Sequence, residues 1–266
     1  MITEATNKSE GKCLFCGKIY TKTGISRHLQ THLKQKVQEN KRGQSYLIKV
    51  EPHPRWDALP YFLSLWVDGS ATMNDVDIFL RAIWLECCGH MSSFTLPQNR
   101  RHYDMLTFIE SQNLLKQGKY DEYDKLMEAN AKTIAMSRQV TEILRKELKV
   151  NYEYDFGSTT ELLLTVIEEY PVEADKMIVL LSRNEPLKLL CDTCKTQPAT
   201  QLCTAHGWDG DQMFCDKCAE KHAEICEDFS EYASLPVVNS PRMSVCCYSG
   251  GRIDTERDGV FSIMHN

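Results

Sequence analysis

Tyr61-Phe62-Leu63-Ser64-Leu65-Trp66-Val67 is a short apolar run closed by Asp68-Gly69, the pattern of a buried strand followed by a turn. Directly after it, Val76, Phe79, Leu80, Ile83, Trp84 and Cys87 recur at i, i+3, i+4, i+7, i+8 and i+11. That spacing draws one apolar face of a helix, which Thr72 or Asn74 can cap and Gly89 can stop. A strand passing into a helix within thirty residues makes residues 56–190 an α+β body with a mixed or antiparallel sheet.

Downstream, the segments from Tyr103 to Leu115 and from Tyr120 to Met136 read as helices joined at Gly118, and Val140, Ile143, Leu144 and Leu148 continue helical spacing. Tyr152 to Phe156 turns to strand-like aromatics, Leu162 to Tyr170 is a second strand, and Met177 to Leu181 a third. Asp155-Phe156-Gly157-Ser158 forms the hairpin turn between the first two.

Outside the body lie two clusters of zinc-ligand residues. Residues 12–34 hold Cys13-x2-Cys16 and His28-x3-His32, two thiolates on a short hairpin and two imidazoles one helical turn apart. Such a set closes a tetrahedral zinc shell, and Tyr20, Ile25 and Leu29 supply the small core that packs beneath it. The unit resembles the Cys-Cys-His-His zinc finger, with eleven residues between Cys16 and His28, one short of the commonest spacing. Residues 191–226 read Cys191-x2-Cys194-x8-Cys203-x2-His206-x8-Cys215-x2-Cys218-x3-His222-x3-Cys226. A compact fold pinned at both ends by these pairs is a cross-brace. One zinc takes Cys191, Cys194, Cys215 and Cys218, and a second takes Cys203, His206, His222 and Cys226. The alternative is a single zinc on the two Cys-x2-Cys pairs. The spacing resembles B-box modules and, less closely, MYND-type modules, which imply a role in protein contacts. Cys226 stands where the B-box has histidine.

Three zinc ions are therefore expected, each with four protein ligands. A catalytic zinc keeps an open position beside a general base, and no His-Glu-x-x-His helix is present, so structural zinc is the reading. Two cysteine doublets remain, Cys87-Cys88 (followed by Gly89-His90) and Cys246-Cys247. With His90 they offer a further metal site or a redox pair. Cys87 lies on the apolar helix face, which favours core packing instead.

Charge is unevenly distributed. Residues 1–50 hold ten Lys/Arg against three Asp/Glu, a balance of +7, whereas the other 216 hold 21 against 34, a balance of −13. Residues 35–55 are basic and polar with Pro52 and Pro54, and read as a linker. Nucleic acid is the expected partner of this end, through Lys22, Arg27, Lys34, Lys36, Lys41 and Arg42. A protein partner is expected at the C-terminal zinc module. Residues 227–266 read as an extended tail, loosely ordered from Gly250. No apolar run reaches membrane-span length and residues 1–11 are polar, so the chain reads as intracellular (cytoplasmic, or in the nucleoid or nucleus) and not secreted.

Tyr152-Glu153-Tyr154-Asp155-Phe156-Gly157-Ser158, together with the 61–67 strand and the 76–88 helix, resembles the Ri-plasmid ORF-3-like family, also described as insertion-element (TnpR-type) passengers. That family carries a Tyr-x-Tyr-Asp-Phe-Gly-Asp motif, and Ser158 replaces its last residue. The resemblance covers about residues 56–185. It implies an α+β domain and a link to mobile or plasmid DNA, and names no reaction. The function expected is thus that of a non-enzymatic zinc protein associated with nucleic acid, its C-terminal module recruiting a partner. One alternative is an interaction adaptor that binds no nucleic acid. Another is an enzyme acting on nucleic acid through Asp155, Asp57 or Asp104, although Asp155 in a hairpin more simply bonds local amides.

Overall fold

The computed structural model describes residues 9–39, 42–56, 58–97, 105–131, 133–205 and 212–252. Its elements run β1 (Glu10–Lys12), β2 (Ile19–Thr21), α1 (Ile25–Glu39), β3 (Ser45–Pro52), β4 (Leu63–Asp68) and α2 (Met73–Leu80), followed by a π-helical turn over Arg81–Leu85. Then come β5 (Ser92–Thr95), α3 (Met105–Lys116), α4 (Tyr120–Ala131), β6 (Thr133–Ile134), α5 (Val140–Ile143), β7 (Lys149–Tyr154), β8 (Thr160–Tyr170) and β9 (Ile178–Arg183). The C-terminal part holds β10 (Gln201–Cys203), β11 (Gln212–Phe214), α6 (Asp216–Ala223), a π-helical turn at Phe229–Ala233, and β12 (Ser234–Pro236). The chain is α+β, and the pairings of its main sheet are antiparallel, in the order β6-β5-β7-β8-β3-β4-β9.

Alternation along the central strands builds two cores, one on each face. Tyr46, Ile48 and Val50 of β3 and Leu63, Leu65 and Val67 of β4 join α2 in the larger core. Leu47 of β3, together with Phe62 and Trp66 from the β4 region, points to the opposite face and meets Ile25, Leu29 and Leu33 of α1. Because β4 is covered on both faces, all six of its residues are buried, which accounts for an unbroken apolar run. Thr72 caps α2 through a reciprocal pair with Asp75.

Several boundaries differ from the sequence reading. Residues 35–55 are not a linker: α1 runs on to Glu39, and Ser45–Pro52 is β3, an inner strand of the sheet. Lys49 ion-pairs with Glu51, so its charge is carried by a strand and not by an open arm. Within 227–266, Ser234–Pro236 pairs with β10 and belongs to the C-terminal zinc-ligand unit. Gly251 is buried with its backbone against Ile83, and the Arg252 amide donates to the Ala82 carbonyl at 2.6 Å. The loose ordering expected from Gly250 therefore fails for Gly251 and Arg252, and residues 253–266 lie outside the described residues. Helical structure after residue 140 stops at Ile143, where Leu144 turns extended.

Candidate metal centres

The finger's two cysteines flank a tight turn. Gly17, in the left-handed region at φ 71, donates its amide to the Cys13 carbonyl at 2.8 Å, and the Cys13 amide donates to the Lys18 carbonyl at 2.9 Å. His28 and His32 stand one turn apart on α1. Their Nε2 atoms are 3.1 Å from each other, and Cys16 Sγ is 3.2 Å from that of His28. A tetrahedral zinc shell has nitrogen–nitrogen edges of about 3.3 Å and sulfur–sulfur edges of about 3.8 Å, so the four atoms are spaced to share one ion. All four lie within 4.8 Å of one another. Burial, then the neighbouring His32, lowers the pKa of His28 and favours the neutral imidazole a metal needs.

The same helix docks the finger onto the body. Ile25, Leu29 and Leu33 are fully buried at spacing i, i+4, i+8 among Leu47, Phe62 and Trp66. At the sheet, the Leu14 amide donates to the Leu181 carbonyl at 2.9 Å, and Gly11 bridges Asn184. A side chain at Gly11 would meet the Arg183 carbonyl at 2.6 Å, so the close approach requires glycine. Of the residues expected at a nucleic-acid face, Lys22 pairs with Glu51 at 2.7 Å and Lys36 with Asp175 at 2.8 Å. Arg27, Lys34 and Arg42 are exposed, and Lys41 lies outside the described residues.

In the C-terminal unit the first cysteine pair repeats the finger's turn. Lys195, at φ 57, donates its amide to the Cys191 carbonyl at 2.8 Å. The second pair opens α6, where Cys215 is the N-cap and its carbonyl accepts the Cys218 amide at 2.9 Å. Cys194 Sγ and Cys215 Sγ are 3.9 Å apart, and the sulfurs of Cys191, Cys194, Cys215 and Cys218 form one group within 4.8 Å. The backbone amide of Thr196, then its hydroxyl and the Gln197 amide, pull the Cys194 thiol down to about 6. Burial and the adjoining sulfurs push Cys218 up to about 12.

Cys203, His222 and Cys226 make a separate group. His222 sits in the last turn of α6, stacked on Phe214 with centroids 4.3 Å apart, and Cys226 follows one turn later. His206, the fourth residue expected here, lies outside the described residues. The two groups interleave along the chain, as a cross-brace does.

Of the doublets, Cys87 packs against the larger core as expected, and the other three cysteines do not. Cys88, Cys246 and Cys247 are exposed and Cys87 is only half-buried. Folding brings Cys87, Cys88, His90 and Cys246 into a fourth group within 4.8 Å. The sequence offered these residues as a further metal site, but no spacing rule could bring them together, since its parts are about 155 residues apart in sequence.

Of the acidic residues considered for catalysis, Asp155 alone falls among the described residues, and it is paired internally. Asp155, at φ 64, accepts the Gly157 and Ser158 amides and pairs with the fully buried Arg242 at 2.7 Å. The Arg242 guanidinium holds the Asp155 carboxyl below the usual carboxylate range. Arg81 bridges Asp77 and Glu86, and Tyr152 donates to Asp77 at 2.7 Å. Asp57 and Asp104 lie outside the described residues.

No described helix is long and apolar enough to cross a membrane. No family model matches the chain, and no curated protein matches it. Among solved structures, a protein of unknown function from Methanosarcina mazei Go1 is similar at a TM-score of 0.34 and 11% identity, over 51% of this chain. The chain spans 65% of that protein, a little under two thirds of its length.

Proposed function

We propose that this is a non-enzymatic zinc-binding protein, an adaptor in which zinc holds a finger against an α+β body and braces a C-terminal module that recruits a protein partner. The observation that carries this reading is the use of α1. Its apolar stripe is buried against the sheet, and two of its flanking lysines are engaged with body carboxylates. A finger fixed in that way works as part of the scaffold and leaves the C-terminal module as the free recognition element. Closed four-ligand shells of cysteine and histidine are the mark of structural zinc, and three such ions are assigned to the finger and the cross-brace. Elemental analysis of the full chain tests the metal: zinc in at least three equivalents is expected, and two or fewer would reject the cross-brace.

The second reading retains nucleic-acid association, with the link to mobile or plasmid DNA that the family resemblance implies. It is favoured by the exposed Arg27 and Lys34 on α1 and by the +7 balance of residues 1–50. Titrating the full chain with duplex DNA and with RNA at low salt separates the two. Binding that falls steeply as salt rises supports the second, and no binding at low salt supports the adaptor.

A further inference from the structure

We infer that Cys87, Cys88, His90 and Cys246 form a fourth metal site, a soft-ligand zinc clasp that fastens the C-terminal strap, residues 237–252, to the body. The ligand atoms are already spaced for it. Cys88 Sγ lies 3.5 Å from Cys246 Sγ, and Cys246 Sγ lies 3.8 Å from His90 Nε2, near the edges of a tetrahedral shell of about 3.3–3.8 Å. Three thiolates and one imidazole are a zinc set by softness and number.

Independent support comes from the surroundings of His90. Its Nδ1 lies 3.6 Å from Asp155 Oδ1 while Nε2 faces the sulfurs, the orientation that a carboxylate imposes on a metal-binding imidazole. Asp155 is itself fixed by Arg242, which also donates to Cys87 Sγ at 3.5 Å. Three thiolates around a divalent ion leave one negative charge, and this buried guanidinium lies beside it.

Both sides of the clasp are held in place by separate bonds. Gly89, at φ 76, turns the chain between Cys88 and His90, and its amide donates to Glu86 at 2.6 Å. On the strap, the Ser240 hydroxyl donates to the Trp84 carbonyl at 2.7 Å, and Asn239 joins Asn184. Cys246 is left-handed at φ 57, a conformation that non-glycine residues seldom adopt without a local cause. Cys247 Sγ also reaches Cys88, at 3.2 Å, but stands outside the group of four.

The test uses the full chain loaded with zinc alone. Cys88→Ser and Cys246→Ser are each expected to lose one equivalent of zinc relative to wild type, and Cys247→Ser none. An unchanged zinc content in both Cys88→Ser and Cys246→Ser would overturn the site. Because a variant can fail for other reasons, alkylation of the wild-type chain gives a second measure. Cys88 and Cys246 should be protected when zinc is bound and at least tenfold more reactive after chelation. Equal reactivity in both states, or a disulfide from position 88 to 246 or 247 in the zinc-treated protein, would also overturn it. The three assigned zincs are counted separately, through Cys13→Ser, Cys191→Ser and Cys203→Ser, so their failure is distinguishable from that of the clasp.

Discussion

The turns at Cys13–Gly17 and Cys191–Lys195 share one construction, a 2.8 Å bond back to the first cysteine's carbonyl from a residue in the left-handed region, yet they stand on different foundations. Beneath the finger lies a helix whose stripe joins a core that includes Leu47, Phe62, Trp66 and Tyr170 of the body. Beneath the C-terminal turn lies a small cluster of Cys203, Phe214, Ala219, Phe229 and Ala233, to which no strand of the main sheet contributes. With metal bound, the finger would therefore have two sources of stability, packing and metal, whereas the C-terminal unit would depend on metal far more. A unit of some forty residues buries too little apolar surface to fold unaided.

Chelation gives the largest expected contrast. Removing zinc should open residues 191–236 to full hydrogen exchange, because structural zinc contributes about 10–16 kcal/mol to such modules. In the same experiment α1 should remain protected by the sheet. Loss of α1 protection in step with the C-terminal unit would break the comparison.

Next comes Asp155→Asn, which leaves the buried Arg242 without its counter-charge and should cost about 3–5 kcal/mol in urea unfolding. It should also speed metal loss from the clasp about 10–100-fold. Cobalt-substituted protein would show this as a shift in the visible band of that site, with the finger's band unmoved. The carboxyl's pKa is depressed in the folded state, so the pair's contribution is present above the ordinary value of 3.8. It is lost as pH falls through the lower folded-state value. Acid unfolding of the variant should accordingly lack this component.

Leu29→Ala, at a fully buried position, should destabilise the chain by about 2–5 kcal/mol. This loss should appear in the transition of the body as well as in the finger, since the residue belongs to their shared core. A change confined to the finger would argue that docking is weak.

The smallest effects test the turn itself. Gly17→Ala should destabilise by about 1 kcal/mol, and Lys195→Gly should stabilise by about the same amount, because both positions have positive φ. Measuring the zinc affinity of each variant checks the opposite signs.

How much of this could be read beforehand depends on the range of the pattern. The strand at β4 and the helix at α2 were legible because their signals lie within a few residues, and Thr72 was one of two caps considered. The strand β3 was hidden by its flanks. Lys49, Pro52 and the basic residues before it suggested an open segment, although Tyr46, Ile48 and Val50 alternate as a half-buried strand does. The extension of α1 past His32 was marked by Leu33 and Val37, which repeat Ile25 and Leu29 at four-residue steps, but the finger pattern drew the boundary too early. At the candidate sites, ligand pairs two to four residues apart could be recognised from spacing. The Cys87–Cys246 meeting depends on the path of the strap, and no local pattern records it.

The attachment of β1 beside β9 has one more consequence. β9 is the terminal strand of the main sheet, and its outer backbone would otherwise present open donors and acceptors to any passing strand. The bonds from Leu14 to Leu181 and from Glu185 to Glu10, with the Gly11–Asn184 bridge, occupy that margin. The finger thus covers an edge that would otherwise be open to pairing, and a chain shortened to begin after residue 39 is expected to form aggregates seeded at Ile178–Arg183, which light scattering would register.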